Sequence, residues 1–222
     1  MKLPPRKERV PELLRRLAVA YPETGTALHF QTPFQLLVAT ILSAQCTDVR
    51  VNIVTPPLFA AFPDAAAFVA ATQEQVEALV KTTGFFRNKA KNIRAAARMI
   101  LDEFGGEVPG TLDELVRLPG AGRKTANVVL GDAFGVTGIT VDTHVGRLSR
   151  RLGLTRKKDP VKVELVLNRL IPLAEWTRFS HRLILHGRAV CSARKPNCAG
   201  CSLADVCPKI GVRRPATPVE SG

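Results

Sequence analysis

The stretch Leu118-Pro119-Gly120-Ala121-Gly122-Arg123-Lys124-Thr125-Ala126 decides how this chain is read. One helix is predicted to end at Leu118 and the next to start near Arg123. Between them, Gly120 and Gly122 allow a tight turn with positive φ and leave backbone N–H groups uncovered. Those groups lie at a helix N-terminus, where the dipole favours an anion. A nucleic-acid phosphate fits there without any base being read. Two glycines alone would describe an ordinary turn between helices. The Pro before them and the Lys-Thr-Ala after them make the string specific. Gly120, Gly122, Arg123 and Thr125 are therefore candidate phosphate contacts.

Working outward, the local signals are helical. Thr32-Pro33-Phe34-Gln35 reads as a capping box with Pro at the first helical position. Phe34, Leu37, Val38, Ile41 and Leu42 follow at helical spacing. Thr72-x-x-Gln75 and Thr111-x-x-Glu114 repeat the box. Asn88 is expected to cap a helix carrying Ile93, Ala96, Ala97 and Ile100, which Gly105-Gly106 stops. Asp159-Pro160 opens another helix, with Val163, Val166, Leu167 and Leu170 on one face. A last one runs through Trp176, Phe179, Leu183 and Ile184 toward Cys191. No segment alternates with a period of two. The expected class is all-α, with roughly ten helices by this pattern count. The residues from 213 to 222, Arg213-Arg214-Pro215 and the Pro, Ser and Gly residues after them, are expected to be a disordered tail.

Composition narrows the partners. Lys and Arg total 32 against 19 Asp and Glu, a formal net charge of +13. Solubility needs far less charge, and such an excess suits a polyanion. Hydrophobic residues make up 45% of the chain, enough to bury a core. No apolar run approaches the ~20 residues needed to span a bilayer. The first residues are charged with no apolar stretch behind them, so no signal peptide is read and a cytoplasmic protein is expected, nucleoid-associated if bacterial.

Four of the five cysteines stand close together, Cys191, Cys198, Cys201 and Cys207, spaced C-x6-C-x2-C-x5-C. Four thiolates can hold one zinc ion or one iron–sulfur cluster. Structural zinc favours two short clips with a longer loop between them. Here one C-x2-C clip has single cysteines on either side. Such uneven spacing suits the wider 4Fe-4S cube, although zinc stays open on spacing alone. Two disulfides fit poorly with an odd cysteine count and a reducing compartment. Cys46 has apolar neighbours and reads as packing.

The sequence resembles the endonuclease III family of helix-hairpin-helix DNA glycosylases over about residues 10 to 210. The resemblance is carried by Leu42-Ser43-Ala44-Gln45-x-Thr47-Asp48, by Gly84 to Lys89 and by the hairpin string. It continues through Val141-Asp142-Thr143-His144, Leu185-His186-Gly187-Arg188 and the four cysteines. It implies two helical lobes with a cleft between them: a six-helix domain over 26–136, and a second domain made of 1–25 and 137–212. The second would hold a 4Fe-4S cluster on the four cysteines. Lys124 would stand on one wall of the cleft and Asp142 on the other.

The resemblance also implies a bifunctional glycosylase and AP lyase of base excision repair. Its partner would be double-stranded DNA containing damaged bases, oxidised pyrimidines above all, or abasic sites; a monomer is expected. An enzyme of this kind must first take the base out of the stack. Breaking the bond from C1′ to the base builds positive charge on the sugar, and a carboxylate facing it stabilises that charge. Asp142 is the candidate, and it is equally placed to cap the helix that follows. Lys124 is the candidate nucleophile. Its ammonium must lose a proton before it attacks, and the electropositive first turn beside Arg123 favours this. Its bland role is phosphate binding. The adenine-specific relatives carry a non-lysine here and are monofunctional, so Lys124 implies glycosylase plus lyase.

Gln45 would fill the hole left by the flipped nucleotide. The turn with Phe85 and Arg87 would wedge the opposite strand. The family typically has Leu where this chain has Phe85; Phe is also an apolar wedge that can stack on bases. Phe86 is expected in the core. Ser43, Asp48 and His144 match positions at the edge of the pocket, and His144 could equally be an ordinary helix residue. Arg194 and Lys195, between the first two cysteines, would present charge to phosphates. Two other readings remain. One is an adenine or mismatch-thymine glycosylase of the same superfamily, disfavoured by Lys124 and by the lack of sequence for a further domain after residue 214. The other is a non-catalytic iron–sulfur DNA-binding or redox-sensing protein, which would not need Lys124 and Asp142 together.

Overall fold

The computed structural model describes residues 3–212; the expected disordered tail at 213–222 lies outside the described residues. Among the described residues the chain forms eleven α-helices, two 3-10 turns and no strand. The class is all-α, as the helical spacing implies. The helices fall into two compact units, residues 25–138 and residues 3–24 with 139–212.

The first unit holds α2 (Pro33–Leu42), α3 (Asp48–Ala61), α4 (Ala65–Ala70), α5 (Gln73–Val80), α6 (Phe86–Phe104), α7 (Leu112–Leu115) and α8 (Arg123–Ala133). The run Phe34 to Leu42 is apolar nearly all round, and such a helix belongs inside. Leu36, Leu37, Val38, Ala39, Ile41 and Leu42 are all buried, with α8 packed against this helix. The buried stripe of α6 is built from Ala90, Ile93, Ala96, Ala97 and Ile100. Its alanines let α4 and α5 pack closely on it. Phe68 of α4 is fully enclosed, its ring meeting Phe34 edge-on at 5.6 Å and tilted against Phe62 at 5.3 Å.

The second unit holds α1 (Arg6–Ala20), α9 (Thr143–Arg151), α10 (Pro160–Asn168) and α11 (Trp176–Ala189). Val10, Leu13 and Leu17 of α1 join Val145, Leu148, Leu167, Phe179 and Leu183 in one core. Arg9 is buried beside it and donates to the carbonyls of Leu152 and Val206, at 2.9 and 2.8 Å. This ties the N-terminal helix to chain well over a hundred residues away.

The predicted helix starts hold in part. Thr72 and Gln75 form a complete capping box. At Thr32 the hydroxyl accepts from the Gln35 N–H, but the Gln35 carboxamide reaches one residue further back, to the Gln31 N–H at 2.9 Å. At Thr111 the Glu114 carboxylate takes the threonine hydroxyl rather than the backbone N–H. Asp159 caps α10 as expected. Two expectations need correction. Asn88 is not a cap: α6 begins at Phe86, and the residue ahead of it is Phe85 in the left-handed region (φ 47, ψ 29). The turn after Gly84 swings the chain straight into the helix and leaves Asn88 in its first turn. The helix expected to end at Leu118 ends at Leu115, and a turn carries the chain onward. Beyond Leu115 the Arg117 and Leu118 N–H groups donate to carbonyls three residues back, those of Glu114 and Leu115, and Pro119 disfavours helical backbone at Leu118 itself.

Candidate functional site

In the unit of residues 25–138 the hairpin turn is closed by the Ala121 N–H donating to the Leu118 carbonyl at 3.0 Å. Its two glycines have different reasons to be there. Gly120 has φ 81, and a Cβ on it would lie 2.9 Å from Cβ of Asn92 on α6. Gly122 has an ordinary φ of −72 and open space where a Cβ would be. As the N-cap of α8 it carries no capping side chain, so nothing of its own covers the first amides of that helix. Lys124, the second residue of α8, is exposed and Arg123 half-exposed. Thr125, expected at the interface, is 9% exposed and falls on the inner side of α8 with Ala126.

Two other segments of this unit carry predicted residues. Ser43 ends α2, its hydroxyl donating to the Thr40 carbonyl at 2.9 Å. The Cys46 N–H donates to the Ser43 carbonyl at 3.1 Å, which makes a turn with Gln45 at its exposed tip in left-handed backbone, φ 53. Asp48, half-buried, opens α3. Cys46 packs against the core, as read from its neighbours. Phe85 is 66% exposed, while Phe86 packs on the core with the Arg87 guanidinium over its ring at 5.0 Å. Phe86 thus packs on the core as expected, and its neighbour Phe85 stands outside it.

In the unit of residues 3–24 and 139–212, Asp142 caps α9. Its Oδ1 accepts the Val145 N–H at 2.8 Å, which fixes the carboxylate at the head of the helix. His144 is half-buried and lies 3.1 Å from the Arg147 guanidinium, which donates to its Nδ1. Burial holds its imidazole below the ordinary value; Asp142 opposes the shift, and Arg147 and Arg188 add to it. Gly187 permits the approach of α11, since a Cβ there would lie 2.7 Å from His144 Nδ1.

The four cysteines line one small cavity, about 30 Å3, with Leu148, Leu152 and His186 among the other walls. Arg151, at the end of α9, was not singled out in the sequence. It is 8% exposed, and its guanidinium donates to the carbonyls of Ser192 and Ala193, at 2.7 and 2.8 Å, and to Cys191 Sγ at 3.2 Å. Backbone N–H groups of Leu203 and Lys209 point at the sulfurs of Cys201 and Cys207, at 3.4 and 3.3 Å. Burial pushes the Cys201 and Cys207 thiols up, and the neighbouring cysteines add to this. The four cysteines share one cavity, and the N–H groups suit sulfurs that carry charge. The donor set therefore fits a thiolate-bound metal group. Among the described residues, no group of three or more His, Cys, Asp or Glu is placed to hold a single metal ion. Arg194 and Lys195 stand exposed on the loop.

Against known proteins, the profile of the HhH-GPD superfamily of base excision DNA repair proteins matches residues 38–173. The chain belongs to this superfamily. Endonuclease III of Synechocystis sp. is 57% identical over 208 residues, 93% of this chain and 95% of that protein. Endonuclease III of Bacillus subtilis is 48% identical over 195 residues, 87% and 89% of the two chains. A solved endonuclease III–DNA trapped covalent intermediate, an estranged-adenine complex, superposes with a TM-score of 0.88 at 43% identity, covering 91% of this chain and 96% of that one. Within the superfamily the chain is thus of the endonuclease III kind, a DNA glycosylase and AP lyase of base excision repair. Among the described residues no helix is long and apolar enough to cross a membrane.

The two hairpin glycines separate in a simple test. Gly120→Ala forces an L residue into positive φ and against Asn92, and should cost about 1–3 kcal/mol in urea unfolding. Gly122→Ala, with an ordinary φ and open space, should lose only the N-cap preference of Gly over Ala, about 1 kcal/mol or less. Equal losses would mean the turn is not built as described.

Proposed function

We propose that the protein removes oxidised pyrimidines from duplex DNA and then cuts the strand 3′ to the resulting abasic site, with Lys124 as nucleophile and Asp142 as the carboxylate that steadies the sugar. The observation that carries this reading is Lys124 itself, an exposed amine in the first turn of the helix that follows the glycine turn. The covalent protein–DNA intermediate of the similar solved structure supports a lyase that bonds to its substrate. The domain assignment proposed with it is 26–136 for the helix-hairpin-helix part and 1–25 with 137–212 for the cysteine part, acting as a monomer in the cytoplasm.

The Lys124 amine, having lost one proton, bonds to C1′ of the flipped nucleotide. The bond from C1′ to the base breaks; the base leaves with the electron pair and takes up one of the two protons on the bonded amine. The bond from C1′ to O4′ then breaks, O4′ takes the second proton, and an imine remains between Nζ and C1′. The imine acidifies C2′; a proton leaves there and the bond from C3′ to oxygen breaks, which is β-elimination. Water then releases the lysine. The Asp142 carboxylate faces the charge that grows on the sugar and takes no part in the proton transfers. Uncovered amides at Gly122 and the positive side chains of Arg123, Arg194 and Lys195 bind phosphates. Gln45 and Phe85 enter the duplex, one in the vacated space and one against the opposite strand. Ser43, Asp48 and His144 border the base. Cys191, Cys198, Cys201 and Cys207 would hold a 4Fe-4S cluster, which would brace the loop bearing Arg194 and Lys195.

Duplexes with one oxidised pyrimidine test the reading. Lys124→Gln should abolish strand cutting while DNA binding persists. Asp142→Asn keeps the cap, because Asn caps nearly as well as Asp. Its melting temperature should hold while single-turnover excision falls by about a hundredfold or more. Undiminished nicking by Lys124→Gln, or a parallel loss of stability and excision in Asp142→Asn, contradicts the assignment.

The purified protein should be yellow-brown, with broad absorbance at roughly 400 nm from thiolate-bound iron. Elemental analysis should give about four irons per chain, as a 4Fe-4S cluster requires. Stoichiometric zinc with little iron would overturn the cluster.

A further inference from the structure

Lys89 is a lysine in an unfavourable place. It is 5% exposed, and it lies in the first turn of α6, where the helix dipole opposes a cation. Burial lowers its pKa. Its Nζ donates to two carbonyls, Leu42 at 2.8 Å and Thr83 at 2.7 Å. Leu42 is the last residue of α2, and Thr83 the last of the 3-10 turn Lys81–Thr83. Carbonyls at helix ends have no partner within their own helix, and a lysine can satisfy them. Here one side chain satisfies two such ends from a third helix. A neutral amine still carries two N–H groups, so the bridge does not depend on charge.

What those two ends lead into gives the bridge its meaning. Leu42 runs directly into the turn that holds Gln45, and Thr83 into Gly84 and Phe85. Gln45 and Phe85 are both non-glycine residues in left-handed backbone, φ 53 and φ 47, and both are exposed. Such backbone persists only where the surroundings hold it. One turn further along α6, Asn92 is packed against Gly120 of the hairpin. The opening turns of one helix thus index three segments.

We propose that Lys89 is a positioning residue: by joining the carbonyls of Leu42 and Thr83 it holds Gln45 and Phe85 at a fixed separation, so that they enter the duplex as one unit. This rests on the DNA-entering roles proposed above for Gln45 and Phe85. Two probes on independently mobile loops would each lose freedom on binding. Held by one lysine, they lose it on folding, before DNA arrives.

The experiment is a mutant cycle on the full-length protein, with a duplex carrying one oxidised pyrimidine and 2-aminopurine beside it. Single-turnover excision and fluorescence of the unstacked 2-aminopurine are both read. Lys89→Met should lower excision and the fluorescence rise about tenfold or more, since it strips the donor from two buried acceptors. In the background of Gln45→Ala with Phe85→Ala, adding Lys89→Met should change either readout by less than about twofold, because the parts it positions are gone. Lys89→Arg, which keeps the donors, should recover most of the loss. If Lys89→Met does not fold, Lys89→Gln, shorter by one bond, takes its place in the same cycle. An equal loss in both backgrounds means that Lys89 only supports the fold and overturns the proposal, as does no loss in either. If Gln45→Ala and Phe85→Ala are themselves without effect on both readouts, the DNA-entering roles fail, and the positioning role falls with them. Impaired loop variants beside an unimpaired Lys89→Met sink the positioning role alone.

Discussion

The chain has to turn in front of Arg123 at a point where there is no room for a side chain. Gly120 stands against Asn92 of α6, and its φ of 81 is one that L residues adopt only under strain. From this constraint the rest of the unit follows. The turn lets α8 start at Arg123 and lie against α2, the most buried helix of the unit. The helix period then sends Thr125 and Ala126 inward and leaves Lys124 outside. A lysine two residues earlier or later would sit on a different face. The chemistry proposed for Lys124 is thus set by a glycine four residues away and by an asparagine on another helix.

The second unit uses a helix in a similar way. Nine residues of α9 span about 14 Å at 1.5 Å per residue. Asp142 caps the front of this helix, and Arg151 at its end holds the start of the cysteine loop through three carbonyls and one sulfur. The Ile210 N–H donates to the Arg151 carbonyl, so the far end of the loop returns to the same residue. The loop is therefore fastened at both ends to one short helix, and Arg194 and Lys195 are carried on a braced segment.

Much of this was legible because the signals are local. Capping residues at Thr72, Asp142 and Asp159 announce helix starts by spacing alone, and the cysteines announce a thiolate site. The order of Phe85 and Phe86, one out and one in, was also readable. What escaped has a common cause. Lys89, Arg9 and Arg151 act by donating to main-chain carbonyls of residues distant in sequence, and a carbonyl leaves no trace in the residue alphabet. Asn88 misled because it is a good cap by type, whereas the true start is set by the left-handed backbone of Phe85, which Phe rarely adopts. Thr125 falls with Ala126 on the buried arc of α8, a placement the helix period from Lys124 carries.

The central claim is that Lys124 makes a covalent bond to the sugar. Incubating the protein with an abasic duplex and borohydride reduces any imine to a stable amine, and digestion followed by mass spectrometry locates the attached sugar. The account predicts one adduct per chain, on the peptide bearing Lys124, and none with Lys124→Gln. An adduct on another lysine, on the N-terminal amine, or no adduct on a duplex that the protein still cuts, would contradict it.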